Sequence, residues 1–216
     1  MISFFELSLS FQGSLKLLRF DFSGLHMIDT SGTGARRSFW LALYLLPYSL
    51  LRVTQGEFAY DIAAGLFLPF TLAWLVFYCM RWVMFPVLVM FVTRNFGASH
   101  PGAAIIAVSN WISLPWVVFS SLIWALSPIL PAELSATIQL LGFIYVIVVL
   151  AACYGTVLKR GTLVTTGAMP EGRAWLLALF LVVFEVYLSF TFVDLERASL
   201  DQFTQKDPVE VTEQIE

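Results

Sequence analysis

Two stretches of this chain, Gly102 to Ala125 and Leu134 to Leu158, contain no Asp, Glu, Lys or Arg. Each exceeds the roughly 20 apolar residues that a helix needs to cross the hydrocarbon core of a bilayer. A run of this kind in lipid is helical, because a helix satisfies its own backbone hydrogen bonds. Composition points the same way: 59% of residues are hydrophobic and 12% are charged, where a soluble domain has about 25% charged. A soluble fold of this size has too little interior for so much apolar surface. The fold class expected is therefore all-α, a polytopic transmembrane bundle.

Extending the same reading gives five spans, at about 38–53, 62–82, 102–125, 134–158 and 174–193. The first is short for a core of roughly 30 Å at 1.5 Å per residue. Arg52 can snorkel outward there, and Pro47 is expected to kink the helix. The run from Ile62 to Thr93 holds one charge, Arg81, and is too long for a single straight crossing. Cys79-Met80-Arg81-Trp82 lacks the residues of a tight turn, so a hairpin is not expected. The reading is one span to residue 82, with Arg81-Trp82 at the membrane boundary and an interfacial continuation near Pro86.

The flanks differ in character. Residues 1–37 read as a cytoplasmic amphipathic segment and connector. Phe4, Leu7, Phe11, Leu15 and Leu18 fall on one helical face, which would dip into the membrane interface while Lys16 and Arg19 meet headgroups. Alternation over Phe5, Leu7, Leu9 and Phe11 also suits a strand, but a lone strand beside lipid leaves its backbone unpaired. Residues 194–216 hold seven of the 15 acids, Asp194, Glu196, Asp201, Asp207, Glu210, Glu213 and Glu216. This tail is expected to be disordered.

Basic residues set the orientation. With five spans and the N-terminus inside, the cytoplasmic side holds Lys16, Arg19, Arg36, Arg37, Arg81, Arg94, Lys159, Arg160 and Arg173. The outer side holds Arg52, Arg197 and Lys206, so the 12 bases divide nine to three. The C-terminus would then lie outside, and a bacterial inner membrane is the compartment expected. No cleavable signal peptide is read at the start. No basic stripe suits a nucleic acid.

Catalytic patterns are sparse. His26 and His100 lie far apart in connectors, without zinc spacing. Cys79 and Cys153 are isolated within apolar runs and read as small apolar filler. Asp29-Thr30-Ser31-Gly32 is like the Asp-Thr-Gly of aspartic proteases but for the inserted Ser, and a second acid to share a proton is missing. Tyr60-Asp61 matches half of an intramembrane protease signature, and Asp61 reads better as a helix cap. Gly32-Thr33-Gly34 lacks the Lys of a phosphate loop. No metal, cofactor or enzymatic activity is expected.

The intramembrane polar residues are the sharper candidates. Glu185 lies near the middle of the last span, where a carboxylate is a functional candidate by default. It could equally be a protonated or hydrogen-bonded lock between helices. Counting depth along antiparallel helices brings Tyr145 and Thr71 level with it, with Asn110 nearer the cytoplasm, and one of these is expected to bond to it. Asn110 must also find a partner, either a substrate or a neighbouring helix.

The layout resembles the Yip1-like family: a cytoplasmic N-terminal segment, five closely spaced helices and a C-terminus on the far side. Asp21-Phe22-Ser23-Gly24-Leu25 is similar to the Asp-Leu-x-Gly-Pro element before the first span, with Phe22 for Leu and Leu25 for Pro. The resemblance implies a non-catalytic role in membrane organisation. The function expected is a scaffold or accessory subunit working through helix, lipid and protein contacts. Its partners would be the bilayer and either another protein or further copies of itself. The alternative is a small transporter or channel component with a polar path near Glu185 and Asn110.

Overall fold

The computed structural model describes residues 2–54, 67–95, 99–160 and 170–204, and every regular element among them is helical. In chain order these are α1 (Phe4–Leu18), a 3₁₀ turn (Phe22–His26), α2 (Gly32–Ser38), α3 (Trp40–Thr54), α4 (Phe67–Asn95), α5 (Ser99–Leu126), α6 (Ala132–Arg160) and α7 (Glu171–Thr204). Three stretches are long and apolar enough to cross a membrane: Thr71–Asn95 in α4, Pro101–Leu126 in α5 and Ala132–Lys159 in α6. The last two lie within two residues of the sequence-derived spans.

The second span differs from its reading. α4 runs unbroken through Arg81 and Pro86 to Asn95, so Arg81 lies within the apolar stretch and not at its boundary. A proline inside such a helix is tolerated because neighbouring groups satisfy the carbonyl it frees. The expected start of this span at Ile62, with Tyr60 and Asp61, lies outside the described residues. α7 also continues past the expected end at Val193, to Thr204. Leu195, Glu196, Arg197, Ala198 and Leu200 are sound helix formers, and no Gly or Pro interrupts them. The rest of the tail, 205–216, lies outside the described residues.

The chain forms two compact units, one of Met1–Tyr44 and Pro86–Glu185, the other of Leu45–Phe85 and Val186–Glu216. Within the second, an aromatic ladder lines α4. Trp74 is buried and stacks on Tyr78 at 5.2 Å between ring centroids, and Tyr78 meets Trp82 at 6.3 Å. These residues recur every fourth position, which keeps them on one helical face.

The first unit is built around α5, which packs against α1, α2 and α6. From Ala104 to Ile112 every side chain of α5 is buried. α6 returns beside it after a short turn, and the two meet closely at Gly142. A Cβ there would lie 2.6 Å from the Phe119 ring, so any larger residue at 142 would have to push that ring aside.

α1 is helical as expected, but it is not a helix resting alone in the interface. Its buried face is Ser10, Gly13, Ser14 and Leu17, about a quarter turn from the Phe/Leu stripe at 3.6 residues per turn. Small residues let its backbone approach its neighbours, as in membrane helix pairs. Phe4, Phe5 and Leu15 stay exposed. The helix ends in a Schellman motif, with Asp21 N–H donating to the Lys16 carbonyl at 3.0 Å and Phe20 N–H to that of Leu17 at 2.9 Å. Phe20 takes the left-handed position, φ 58°, where glycine is usual. The 3₁₀ turn then folds back so tightly that a Cβ on Gly13 would lie 2.8 Å from the Gly24 carbonyl oxygen.

Candidate functional site

Glu185 is held by two other helices. Ser109 Oγ of α5 donates to its Oε1 at 2.7 Å, and the Tyr154 hydroxyl of α6 donates to its Oε2 at 2.7 Å. Tyr154 has no exposed surface and Ser109 is buried, while Glu185 is half-buried. A carboxylate that accepts hydroxyl hydrogens on both oxygens has part of its lost hydration replaced, which lowers the cost of leaving water. The arrangement ties α5, α6 and α7 at one level.

One residue along α5, Asn110 makes a separate tie. Its Nδ2 donates to Ser38 Oγ at 2.8 Å, and Ser38 Oγ donates to the Ala35 carbonyl at 2.7 Å, all buried. The amide thereby fastens α2 to α5. Ser113 Oγ donates to the Asn110 carbonyl at 2.6 Å. Successive residues on a helix point about 100° apart, so Ser109 and Asn110 serve different neighbours from one turn.

The structure bonds Glu185 to Ser109 and Tyr154, neither of which the sequence reading named. Tyr145 bonds elsewhere: its hydroxyl donates to the Leu18 carbonyl at the end of α1. Depth counting treated each side chain as lying level with its Cα, whereas helical side chains lean toward the N-terminus of their helix. That lean covers about one turn, whereas Tyr154 lies nine residues beyond Tyr145, about 13.5 Å along α6, so the level assumed for α6 against α7 was itself offset. Tyr154 carried a weak signal, a lone phenol among Ala151, Ala152, Cys153 and Gly155. Ser109 and Ser38 carried none, because serine in a membrane helix commonly bonds its own backbone.

The basic candidates are dispersed. Lys16 Nζ lies 3.9 Å from Asp21 Oδ2 and donates to Ser23 Oγ at 3.2 Å. Arg37 pairs with Glu6 at 3.5 Å, and Arg36 reaches Thr33 Oγ1 at 3.5 Å. Arg19 is exposed near the end of α1, and Arg81 is exposed along α4. Lys159 pairs with Glu171 between the end of α6 and the start of α7. The hydrogen bond and charge from Lys159 hold the Glu171 carboxyl below its ordinary range.

The protease-like motif is a helix start. Asp29 Oδ1 accepts from Ser31 N–H at 3.0 Å, and Ser31 Oγ caps α2 by accepting from Gly34 N–H at 3.0 Å. His100 falls in the first turn of α5 and His26 at the end of the 3₁₀ turn. Cys153 is buried and Cys79 is exposed. Among the described residues no cluster of His, Cys, Asp and Glu could hold a metal. Comparison with known family models, with curated proteins and with solved structures finds no match.

Proposed function

We propose that the protein is a non-enzymatic integral membrane scaffold or accessory subunit that acts through contacts between helices, with lipid and with protein. The observation that carries this reading is the use made of its intramembrane polar groups. Glu185 and Asn110, the residues best suited to a transport path, are hydrogen-bonded between helices, to Ser109, Tyr154 and Ser38. Groups engaged this way favour cohesion of the bundle over passage of a solute. The proposal includes five spans, with α3 and the start of α7 joining the three apolar helices, the N-terminus cytoplasmic and the C-terminus outside. It also includes a bacterial inner membrane and a Yip1-like plan. With Arg81 inside the apolar stretch of α4, the remaining bases divide eight to three in this plan, which supports the orientation.

A small transporter or channel component is the second reading. The adjacency of Ser109 and Asn110 on α5 favours it, because two polar ties on one turn could open in sequence. Glu185→Gln separates the two. The amide keeps the size and can still bond both hydroxyls, so a cohesive role predicts a stable, functional protein. Glu185→Ala removes the ties and leaves a void, and should destabilise by about 1–3 kcal/mol. A Glu185→Gln variant that melts like wild type yet abolishes the cellular phenotype would overturn the scaffold reading in favour of proton-coupled transport. Gentle detergent purification of the tagged chain should yield a stoichiometric partner or a defined oligomer.

A further inference from the structure

Two exposed arginines head exposed apolar strips at one end of the first unit. α4 ends and α5 begins there, and α6 returns beside α5, so the end of α6 and the start of α7 lie at the same end. Arg94 stands in the last turn of α4, with Phe91, Met90 and Val87 exposed behind it at spacings of three, four and seven. Arg173 stands in the first turn of α7, with Leu176, Phe180 and Val183 exposed at spacings of three, seven and ten. Such spacings share one helical face, so each arginine tops a continuous apolar strip. From Arg173 to Val183 the strip is about 15 Å long at 1.5 Å per residue, close to one leaflet of a hydrocarbon core of roughly 30 Å.

The charge at this end is one-sided. Residues 94–100 and 159–173 hold four bases, Arg94, Lys159, Arg160 and Arg173, and one acid, Glu171. That acid is taken by Lys159. Neither Arg94 nor Arg173 makes an ion pair among the described residues. The turn at the far end of α5 and α6, residues 127–133, has one acid and no base. The planar fork of arginine matches phosphate oxygens, and bases at the ends of membrane helices draw acidic lipids. A soluble anion would leave the strip bare, and a lipid without net charge would leave the arginine uncompensated. An anionic head on a long apolar chain satisfies both parts of the surface.

We propose that Arg94 and Arg173 are headgroup sites for an anionic phospholipid, with the phosphate against the guanidinium and an acyl chain along the apolar strip. The inference holds under the scaffold and transporter readings alike. The α4 site needs only the apolar stretch Thr71–Asn95, whereas the α7 site rests on the proposed plan in which α7 is a span.

The test uses the full chain in mild detergent, titrated with phosphatidylglycerol or phosphatidylcholine of the same acyl chains and followed by native mass spectrometry. The anionic lipid should be retained several-fold over the neutral one. Arg94→Gln and Arg173→Gln should each lower that preference, and the double variant should bring it near parity. The double Arg→Lys variant keeps the charge and should keep most of it. Arg36→Gln, whose helix neighbours Gly32 and Thr33 offer no apolar strip, should leave it unchanged. Equal retention of the two lipids by the native chain, or a preference that survives the double Gln variant at wild-type helicity, overturns the proposal. If the double variant does not fold, the single variants decide by the same measure. Glycerol 1-phosphate has the head without the chains and should not raise the melting temperature; a rise equal to that from the lipid overturns the lipid in favour of a free phosphate ester. A loss in Arg94→Gln alone overturns the α7 site and leaves the α4 site. Reporters active only in the cytoplasm, fused after Arg173 and after Thr204, then separate the causes: equal activity overturns the α7 span, and opposite activity overturns the lipid site alone.

Discussion

The two ends of the α5–α6 hairpin are built from similar apolar residues and have opposite surroundings. In the first half of α5, Ala104 to Ile112 is buried on every side. Toward the turn, Val118, Leu122 and Leu126 on α5 and Leu134, Leu140 and Leu141 on α6 are exposed. The more hydropathic of the two helices, α6, is also the more exposed. In water this order would be perverse. In a bilayer it is natural, because lipid accepts Leu and Val as well as a protein core does, and it is the polar side chains that gain by turning inward. The buried half accordingly holds Ser109 and Asn110, each bonded to another helix, whereas Ser120 and Ser121 of the exposed half bond the Val117 carbonyl of their own helix.

The largest test of this contrast deletes the same kind of side chain from each half. Ile105→Ala, at a site with no exposed surface, should cost about 2–4 kcal/mol through lost contacts and a cavity. Leu122→Ala should stay within about 0.5 kcal/mol, since lipid fills the space. Both are read by denaturant unfolding in mixed micelles, and equal losses would break the comparison. Next come the two phenols. Tyr154→Phe removes the hydroxyl that bonds the half-buried Glu185 carboxyl and should cost about 1–3 kcal/mol. Tyr145→Phe, at a half-exposed site, should cost less in thermal melts. A double-mutant cycle of Tyr154→Phe with Ser109→Ala should show coupling through Glu185; strict additivity would mean that the three do not act as one tie.

Smaller effects sharpen the same line. Asn110→Leu gives up the bond to Ser38 and should cost on the order of 1 kcal/mol. Thr137→Ala loses only a bond to the Glu133 carbonyl of its own helix and should be neutral within about 0.5 kcal/mol. The least effect is expected outside the membrane, at the exposed Lys159–Glu171 pair. Glu171 has a folded-state pKa below its ordinary value. Its contribution is therefore present above the unfolded-state pKa and is lost as pH falls through the lower folded one. Melting followed from neutral to acidic pH should show a small decline that salt weakens and Glu171→Gln removes. An unchanged decline in that variant would assign it to another carboxylate.

The candidate site was legible in part. Glu185 and Asn110 stand out in any scan, because a carboxylate or an amide inside an apolar run must bond to something. Which partners they take was not legible. Tyr145 and Tyr154 are both phenols on α6, nine residues apart, and only the placement of α1 against one and Glu185 against the other separates their roles. The docked face of α1 was hidden for a related reason. Pattern reading seeks the most apolar face, whereas here Ser10, Gly13, Ser14 and Leu17 make the contact while Phe4 and Leu15 of the Phe/Leu stripe stay exposed.

The sequence by itself determined that the chain is helical and suited to a membrane, and marked out two of its three long apolar helices. Those properties follow from local chemistry: charge-free runs of sufficient length, and a backbone that must satisfy itself in lipid. Only the tertiary structure decided that α4 carries Arg81 through to Asn95, that α1 folds back at mid-span beside Tyr145, and that Glu185 rests on Ser109 and Tyr154. In a bilayer, apolar surface is equally at home against lipid or protein, so hydropathy cannot choose between faces. The choice falls to close backbone approach at small residues and to individual hydrogen bonds between helices far apart in sequence.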